Sequence, residues 1–278
     1  MGFDYSVSIT KLCGISMRNK IIINRHQGFF SDFLTSLVGI MYSYDNNKDF
    51  YVDWKSHLYS SDSEKNLFNE FFYQKSTEKD PCDETYINVT PYGYYFPEHI
   101  SFTTNEQFYN LYKAPSKVLH ELNILNSPFI NSIDRNIFNN YKVLGVHKRG
   151  TDHGYHGNLL VKEYYKQKID HHLDKFNYDK IFLITDEVES INYFKSIYKD
   201  MLIITNSFRS SNQNPIHLYN HKEVPYREKL AYDVFYDAIM LSLCNFKLVT
   251  KSNVSTFSLL CNLNMDDFEY IDNSIEYR

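Results

Sequence analysis

Val143-Leu-Gly-Val-His-Lys-Arg-Gly-Thr-Asp152 begins as a short apolar run and ends on His147, Arg149, Thr151 and Asp152. A continuous apolar run of this length suits a strand covered on both faces of a parallel sheet, and ligands of such sheets bind just beyond the carboxyl ends of the strands. His147 and Arg149 would stand at that end. Arginine stays charged, and its planar fork can grip a phosphate bidentately, each charge-assisted bond contributing about 1.5–3 kcal/mol. The competing reading pairs Arg149 with a neighbouring carboxylate and leaves His147 as a satisfied core histidine. The setting of the run decides for an anion site.

Downstream of Tyr141 the pattern is regular. Strands are expected at 142–147, 180–185, 201–204 and 246–250, and helices at 161–174, 187–198, 226–243 and 253–262. Short apolar strands alternating with helical segments indicate a parallel sheet with helices on both faces. Each strand ends in polar residues: His147 and Arg149, then Thr185 and Asp186, then Thr205 and Asn206, then Thr250 and Ser252. Helix capping accounts for some of these locally, notably Asp186 and Asn253, but four polar tips together point to a ligand crevice.

Asp237 falls on the apolar stripe of its helix, between Val234 and Ala238. A buried carboxylate needs an arginine, backbone N–H groups or a ligand donor. Arg149 and a nucleobase edge are its candidate partners. Ser252-Asn-Val-Ser255 lies where the last strand turns into a helix, whose free N–H groups suit a phosphate. Neither G-x-G-x-x-G nor the P-loop pattern occurs, which argues against a dinucleotide enzyme or a P-loop NTPase.

Upstream, 20–25 reads as a buried strand, 26–30 as a turn, and 31–44 as a helix capped by Ser31. Its apolar face is Phe33, Leu34, Leu37, Val38 and Met41. A strand at 50–54 completes a βαβ unit. Residues 60–110 read as an irregular surface segment on the acceptor side, and 115–126 as a helix ended by Asn126-Ser-Pro128. The expected division is 1–135 and 136–278, two α/β domains of ordinary size with a cleft between them.

Bulk properties narrow the function classes. The 278 residues carry 29 Lys and Arg against 34 Asp and Glu, a net charge of −5, which does not suit a general nucleic-acid binder. The cysteines, Cys13, Cys82, Cys244 and Cys261, form no C-x-x-C pair, and no H-E-x-x-H pattern accompanies His153, His156, His171 and His172, so no metal is expected. No signal-peptide core and no long apolar run occur, which reads as a soluble cytoplasmic protein. Peripheral membrane association through a partner is compatible with that.

His147-Lys-Arg-Gly-Thr-Asp152 resembles the H-x-R-R-x-D motif of fucosyltransferases of the α1,2 and α1,6 type. The resemblance continues through Glu163-Tyr-Tyr165, Phe182-Leu-Ile-Thr-Asp186, Asp237-Ala-Ile-Met-Leu-Ser-Leu-Cys-Asn-Phe246 and Ser252-Asn-Val-Ser255, in order, over roughly the second half of the chain. It implies a GT-B fold of two Rossmann-like domains and an inverting, metal-independent transfer of L-fucose from GDP-β-L-fucose to a glycan or polysaccharide, as in polysaccharide biosynthesis. By the same resemblance Arg149 grips the donor diphosphate, and Asp237, Ser252 and Asn253 hold the guanosine. His147, Thr185, Asp186 and Ser255 complete the expected donor site.

The chain departs from that pattern at three places. Gly150 stands where the motif has a second arginine, Thr256 replaces the aromatic that often follows the Ser-rich turn, and Gln27-Gly-Phe-Phe-Ser-Asp32 replaces the G-L-G-N-Q pattern of the α1,2 group. An inverting transfer also needs a base for the acceptor hydroxyl. Asp152 and His153 are the leading candidates, with His156 and Asp32 beside them; the acidic residue used in the α1,6 group aligns with Gly157. The alternatives are a GT-B transferase for another nucleotide sugar and a non-catalytic nucleotide-sugar-binding protein.

Overall fold

The computed structural model describes residues 8–10, 16–23, 28–77, 83–89, 104–150, 161–211 and 225–271. The chain divides into two compact units. The first comprises 1–100, 113–132 and 223–231; the second comprises 101–112, 133–222 and 232–278.

The first unit holds a four-stranded sheet. β2 (Ser16–Ile23) pairs in parallel with β3 (Asp49–Asp53), and α1 (Phe29–Asp45) connects them as the expected βαβ unit. Every residue of the expected apolar face of α1 is buried. Ser31 is not its cap: the helix begins at Phe29 behind Gly28, whose backbone is extended and which has no side chain to offer. On the far side of β2 runs β4 (Asp83–Val89), parallel to it, and β1 (Ser8–Thr10) pairs antiparallel to β4. β4 corrects the irregular reading of 60–110. Its Thr85, Ile87 and Val89 recur at every second residue, a short strand pattern obscured by the charged and Pro-containing stretches on either side, and it pairs with β2.

A short helix, α2 (Phe68–Phe71), follows β3. Phe29, Phe33, Trp54, Phe68, Phe71 and Phe72 then form an aromatic cluster, with centroids of 4.3 Å for Phe33–Phe72 and 4.9 Å for Phe29–Phe71. The Trp54 indole N–H donates to Ser36 Oγ at 3.0 Å, so the ring buries its apolar area without stranding its donor.

α3 (Asn105–Glu121) starts ten residues earlier than expected and carries Pro115 inside it. Proline removes one helical hydrogen bond without ending the helix here. Asn105 at its start acts as a backbone mimic for an edge strand: Nδ2 donates to Phe268 O and Oδ1 accepts from Tyr270 N. That strand, β9 (Phe268–Ile271), was not anticipated from the sequence. α4 (Pro128–Ser132) leads on to β5.

The second unit is the regular half. β5 (Val143–Lys148), β6 (Lys180–Thr185), β7 (Leu202–Ile203), β8 (Phe246–Thr250) and β9 form a five-stranded sheet in the order β7-β6-β5-β8-β9, and every pairing is parallel. α5 (Lys162–Phe176), α6 (Val188–Tyr198), α7 (Pro225–Ser242) and α8 (Asn253–Cys261) make the connections. One sheet face packs Leu144, Val146, Leu183 and Leu248 against Tyr165, Ile169 and Phe194. On the other, α7 approaches so closely that a Cβ on Gly145 would stand 2.7 Å from Leu241 Cδ1 and 2.9 Å from Cys244 Sγ. Order reverses at β5, with β6 and β8 on its two sides, and such a switch point is where an open α/β sheet binds ligands.

Candidate functional site

At the tip of β5, side chains alternate between the two faces of the sheet. His147 is buried and its Nδ1 lies 2.6 Å from Ser255 Oγ on α8. Lys148 turns the other way, and its Nζ meets Glu187 Oε2 at 2.8 Å with only 5% of its side chain exposed. Arg149 then reaches across, Nη1 donating to Ser252 Oγ at 3.2 Å. The expected convergence of the β5 tip with the Ser252–Ser255 turn is present in these contacts.

Ser252, not Asn253, caps α8: its Oγ accepts from Val254 N at 3.2 Å while also accepting from Arg149. The helix start therefore places a positive dipole end beside a guanidinium, an arrangement that favours an anion. Asn253 opens the helix itself and is partly exposed.

The β6 tip contributes scaffolding. Asp186 Oδ1 accepts from Gly150 N at 2.8 Å, so its carboxylate fixes the backbone just after Arg149 instead of capping α6. Thr185 Oγ1 accepts from Glu187 N within its own turn. Glu187 also accepts from Ser190 Oγ at 2.6 Å. Burial pushes the Glu187 carboxyl up, but Lys148 and Ser190 outweigh it and hold the group below its usual value.

Asp237 is buried, as its position on α7 implied, and its charged partner is Arg209, not Arg149: Nη2 of Arg209 donates to Oδ2 at 2.9 Å. Thr205 and Ser207 hydroxyls donate to Oδ1 at 2.5 and 2.9 Å. Burial raises the Asp237 carboxyl above its ordinary value, and Arg209, Thr205 and Ser207 act in the opposite direction. One turn earlier, Asp233 accepts from Phe208 N at 2.9 Å. The segment after β7 is thus pinned to α7 by two carboxylates, and Ser210 N continues it to Asp186 O at 2.8 Å.

Lys148, Glu187 and Arg209 were not singled out from the sequence. Arg209 lies four residues beyond the first polar tip residue, Thr205, and a lone arginine in a polar segment past a strand end is the signal that marks it. Asp152, His153 and His156 fall in 151–160, outside the described residues. Asp32 belongs to the first unit, where its carboxylate is paired with His57 Nε2 at 2.9 Å and both side chains are 0% exposed. This pairing gives the Asp32 carboxylate a place in the core of the first unit. Among the described residues no cluster of His, Cys, Asp and Glu could hold a metal ion, and no helix is long and apolar enough to cross a membrane.

Neither a protein-family profile nor a curated protein sequence matches the chain. Its fold is similar to that of solved fucosyltransferases. The structure of NodZ α-1,6-fucosyltransferase co-crystallised with GDP matches with a TM-score of 0.54 at 15% identity, over 90% of this chain and 93% of that one. Fucosyltransferase NodZ from Bradyrhizobium gives the same values. NodZ soaked with GDP-fucose matches with a TM-score of 0.54 at 14% identity, over 87% of this chain and 92% of that one. At such identities the likeness is one of fold.

Proposed function

We propose that this protein is a GT-B glycosyltransferase that moves L-fucose from GDP-β-L-fucose to a hydroxyl of a glycan or polysaccharide, with inversion and without a metal ion. The observation that carries the reading is Arg149 bonded to the N-cap serine of α8. A permanent cation and the free N–H groups of a helix start share one place at the ends of the parallel strands, which matches the needs of a leaving diphosphate. Likeness of fold to NodZ, crystallised with GDP and soaked with GDP-fucose, supports the choice of donor.

In this proposal residues 136–278 bind the donor and 1–135 serve the acceptor. Arg149 and the N–H groups at the start of α8 take the diphosphate, and Asp237, Ser252 and Asn253 hold the guanosine, Asp237 by the N–H edge of guanine. His147 and Ser255 fix the β5 tip to α8, and Thr185 and Asp186 fix the turn beside it. The acceptor oxygen bonds to the anomeric carbon as the bond to the β-phosphate oxygen breaks; Asp152 or His153 takes the proton, and Arg149 stabilises the departing GDP.

Calorimetric titration of wild type and Arg149→Ala with GDP, GDP-fucose, GDP-mannose and UDP-glucose tests the proposal. Guanosine-selective binding that depends on Arg149 is expected. Preference for UDP-glucose would move the donor to another nucleotide sugar, a reading that Gly150 favours because it removes one motif cation. Failure to bind any of the four would overturn both.

A further inference from the structure

Arg209 lies outside the H-x-R-R-x-D resemblance, yet it makes the densest set of polar contacts around Asp237. Its Nη2 donates to Asp237 Oδ2 and to Thr205 Oγ1, both at 2.9 Å, and its Nη1 donates to Phe208 O at 3.0 Å. The side chain is 6% exposed and its Nε is buried without a hydrogen-bond partner. Such a guanidinium is costly to bury unless its charge is used.

A carboxylate has about four lone-pair positions. Thr205, Ser207 and Arg209 occupy all but one of them. The position that remains is on Oδ2, and a base N–H, such as N1–H or N2–H of the guanine Watson–Crick edge, can bond to it strongly only while the group is an anion. A protonated carboxyl would turn one acceptor into a donor facing another donor. Asp233, one turn away on α7, opposes the negative charge on Asp237, and that charge in turn pushes the neighbouring Tyr236 hydroxyl up. The cation that holds the anion is Arg209, with the Thr205 and Ser207 hydroxyls assisting it.

We propose that Arg209 is a positioning residue that sets nucleobase selectivity: it holds Asp237 as the anion that accepts the N–H edge of guanine. The inference rests on the donor reading above and deepens it, because it assigns the guanosine preference to a pair rather than to Asp237 alone. The burial that raises the Asp237 carboxyl is consistent with the need for a fixed counter-charge.

The test is calorimetric titration of wild type, Arg209→Gln and Arg209→Lys with GDP and UDP between pH 5.5 and 8.5. The wild-type profile is the baseline. Arg209→Gln should lose GDP affinity relative to wild type as the pH falls, by about tenfold per pH unit once Asp237 protonates. UDP binding should follow the wild-type profile, and Arg209→Lys, which keeps the charge, should restore most of the GDP profile. An Arg209→Gln loss that is equal at every pH, or equal for GDP and UDP, would make the residue merely structural and overturn the inference while leaving the donor reading intact. Absence of GDP binding by wild type at every pH would overturn the donor reading and the inference with it.

Discussion

A Cβ on Gly150 would stand 2.0 Å from Glu187 Cδ, so the Glu187 carboxylate fills the space a side chain at this position would need. The carboxylate is itself held by Lys148 Nζ at 2.8 Å and Ser190 Oγ at 2.6 Å. Gly150 is thus more than a missing arginine: the cation beside it is Lys148, and that cation is spent on Glu187. Gly150→Ala should displace the carboxylate and cost about 1–3 kcal/mol, the usual penalty for forcing atoms into a packed site. Urea denaturation measures it. Gly150→Arg should bind GDP no more tightly than wild type; a clear gain in affinity would show that the position only lacked a charge.

Asp32 and His57 form a fully enclosed pair at 2.9 Å, with the His57 ring stacked on Trp54 at a centroid distance of 4.7 Å. His57 Nδ1 accepts from Tyr59 N at 3.2 Å, while Nε2 faces the Asp32 carboxylate. Removing one partner strands the other in the core, at a cost of about 3–5 kcal/mol. Asp32→Ala and His57→Ala should each lower the denaturation midpoint strongly. An Asp32→Ala protein of unchanged stability that had lost transfer activity would return Asp32 to the list of bases.

Acid should act through a different pair. Glu269 on β9 accepts from His172 Nε2 at 2.9 Å and from Lys168 Nζ at 2.6 Å. His172 first, then Lys168, lower its carboxyl from 4.5 to about 2, against the opposing effect of burial. A depressed folded value means stability that is present above pH 4.5 and disappears as the pH falls toward 2. The urea midpoint of wild type should exceed that of Glu269→Gln at pH 6, and the gap should close between pH 4.5 and 2. A gap that persists unchanged at pH 2 would mean the pair acts by packing alone.

The second unit was the more legible half because its strands are apolar on both faces. Val143–Lys148 and Lys180–Thr185 match the strands expected at 142–147 and 180–185 almost residue for residue. β4 and β9 are hard to read for a common reason: the alternation of Thr85, Ile87 and Val89 and of Phe268 and Tyr270 is short and set among charged and polar neighbours, and strand pairing completes it. The onset of α3 was misplaced because Pro115 reads as a start signal, although proline is tolerated inside this helix. At the candidate site, Asp237 was recognisable as a buried carboxylate because it interrupts an apolar stripe. Its partner was not, because Arg209 reaches it from a separate loop 28 residues away in sequence.

Arg149 provides the sharpest separation of charge from geometry. Its guanidinium sits at the end of β5 and bonds to Ser252 Oγ at 3.2 Å, and that same oxygen accepts from Val254 N as the cap of α8. The cap does not depend on the arginine, so Arg149→Ala should leave the circular dichroism spectrum unchanged and the stability within about 1 kcal/mol of wild type, as for a residue outside the core. Nucleotide affinity should fall by about 1.5–3 kcal/mol for each charge-assisted bond lost, which is tenfold or more. Arg149→Lys keeps the charge but gives up the planar fork, so it should recover only part of the loss. Full recovery by lysine would show that the diphosphate meets a point charge rather than a bidentate clamp. Unfolding of Arg149→Ala would place the residue in the scaffold and remove it from the donor site.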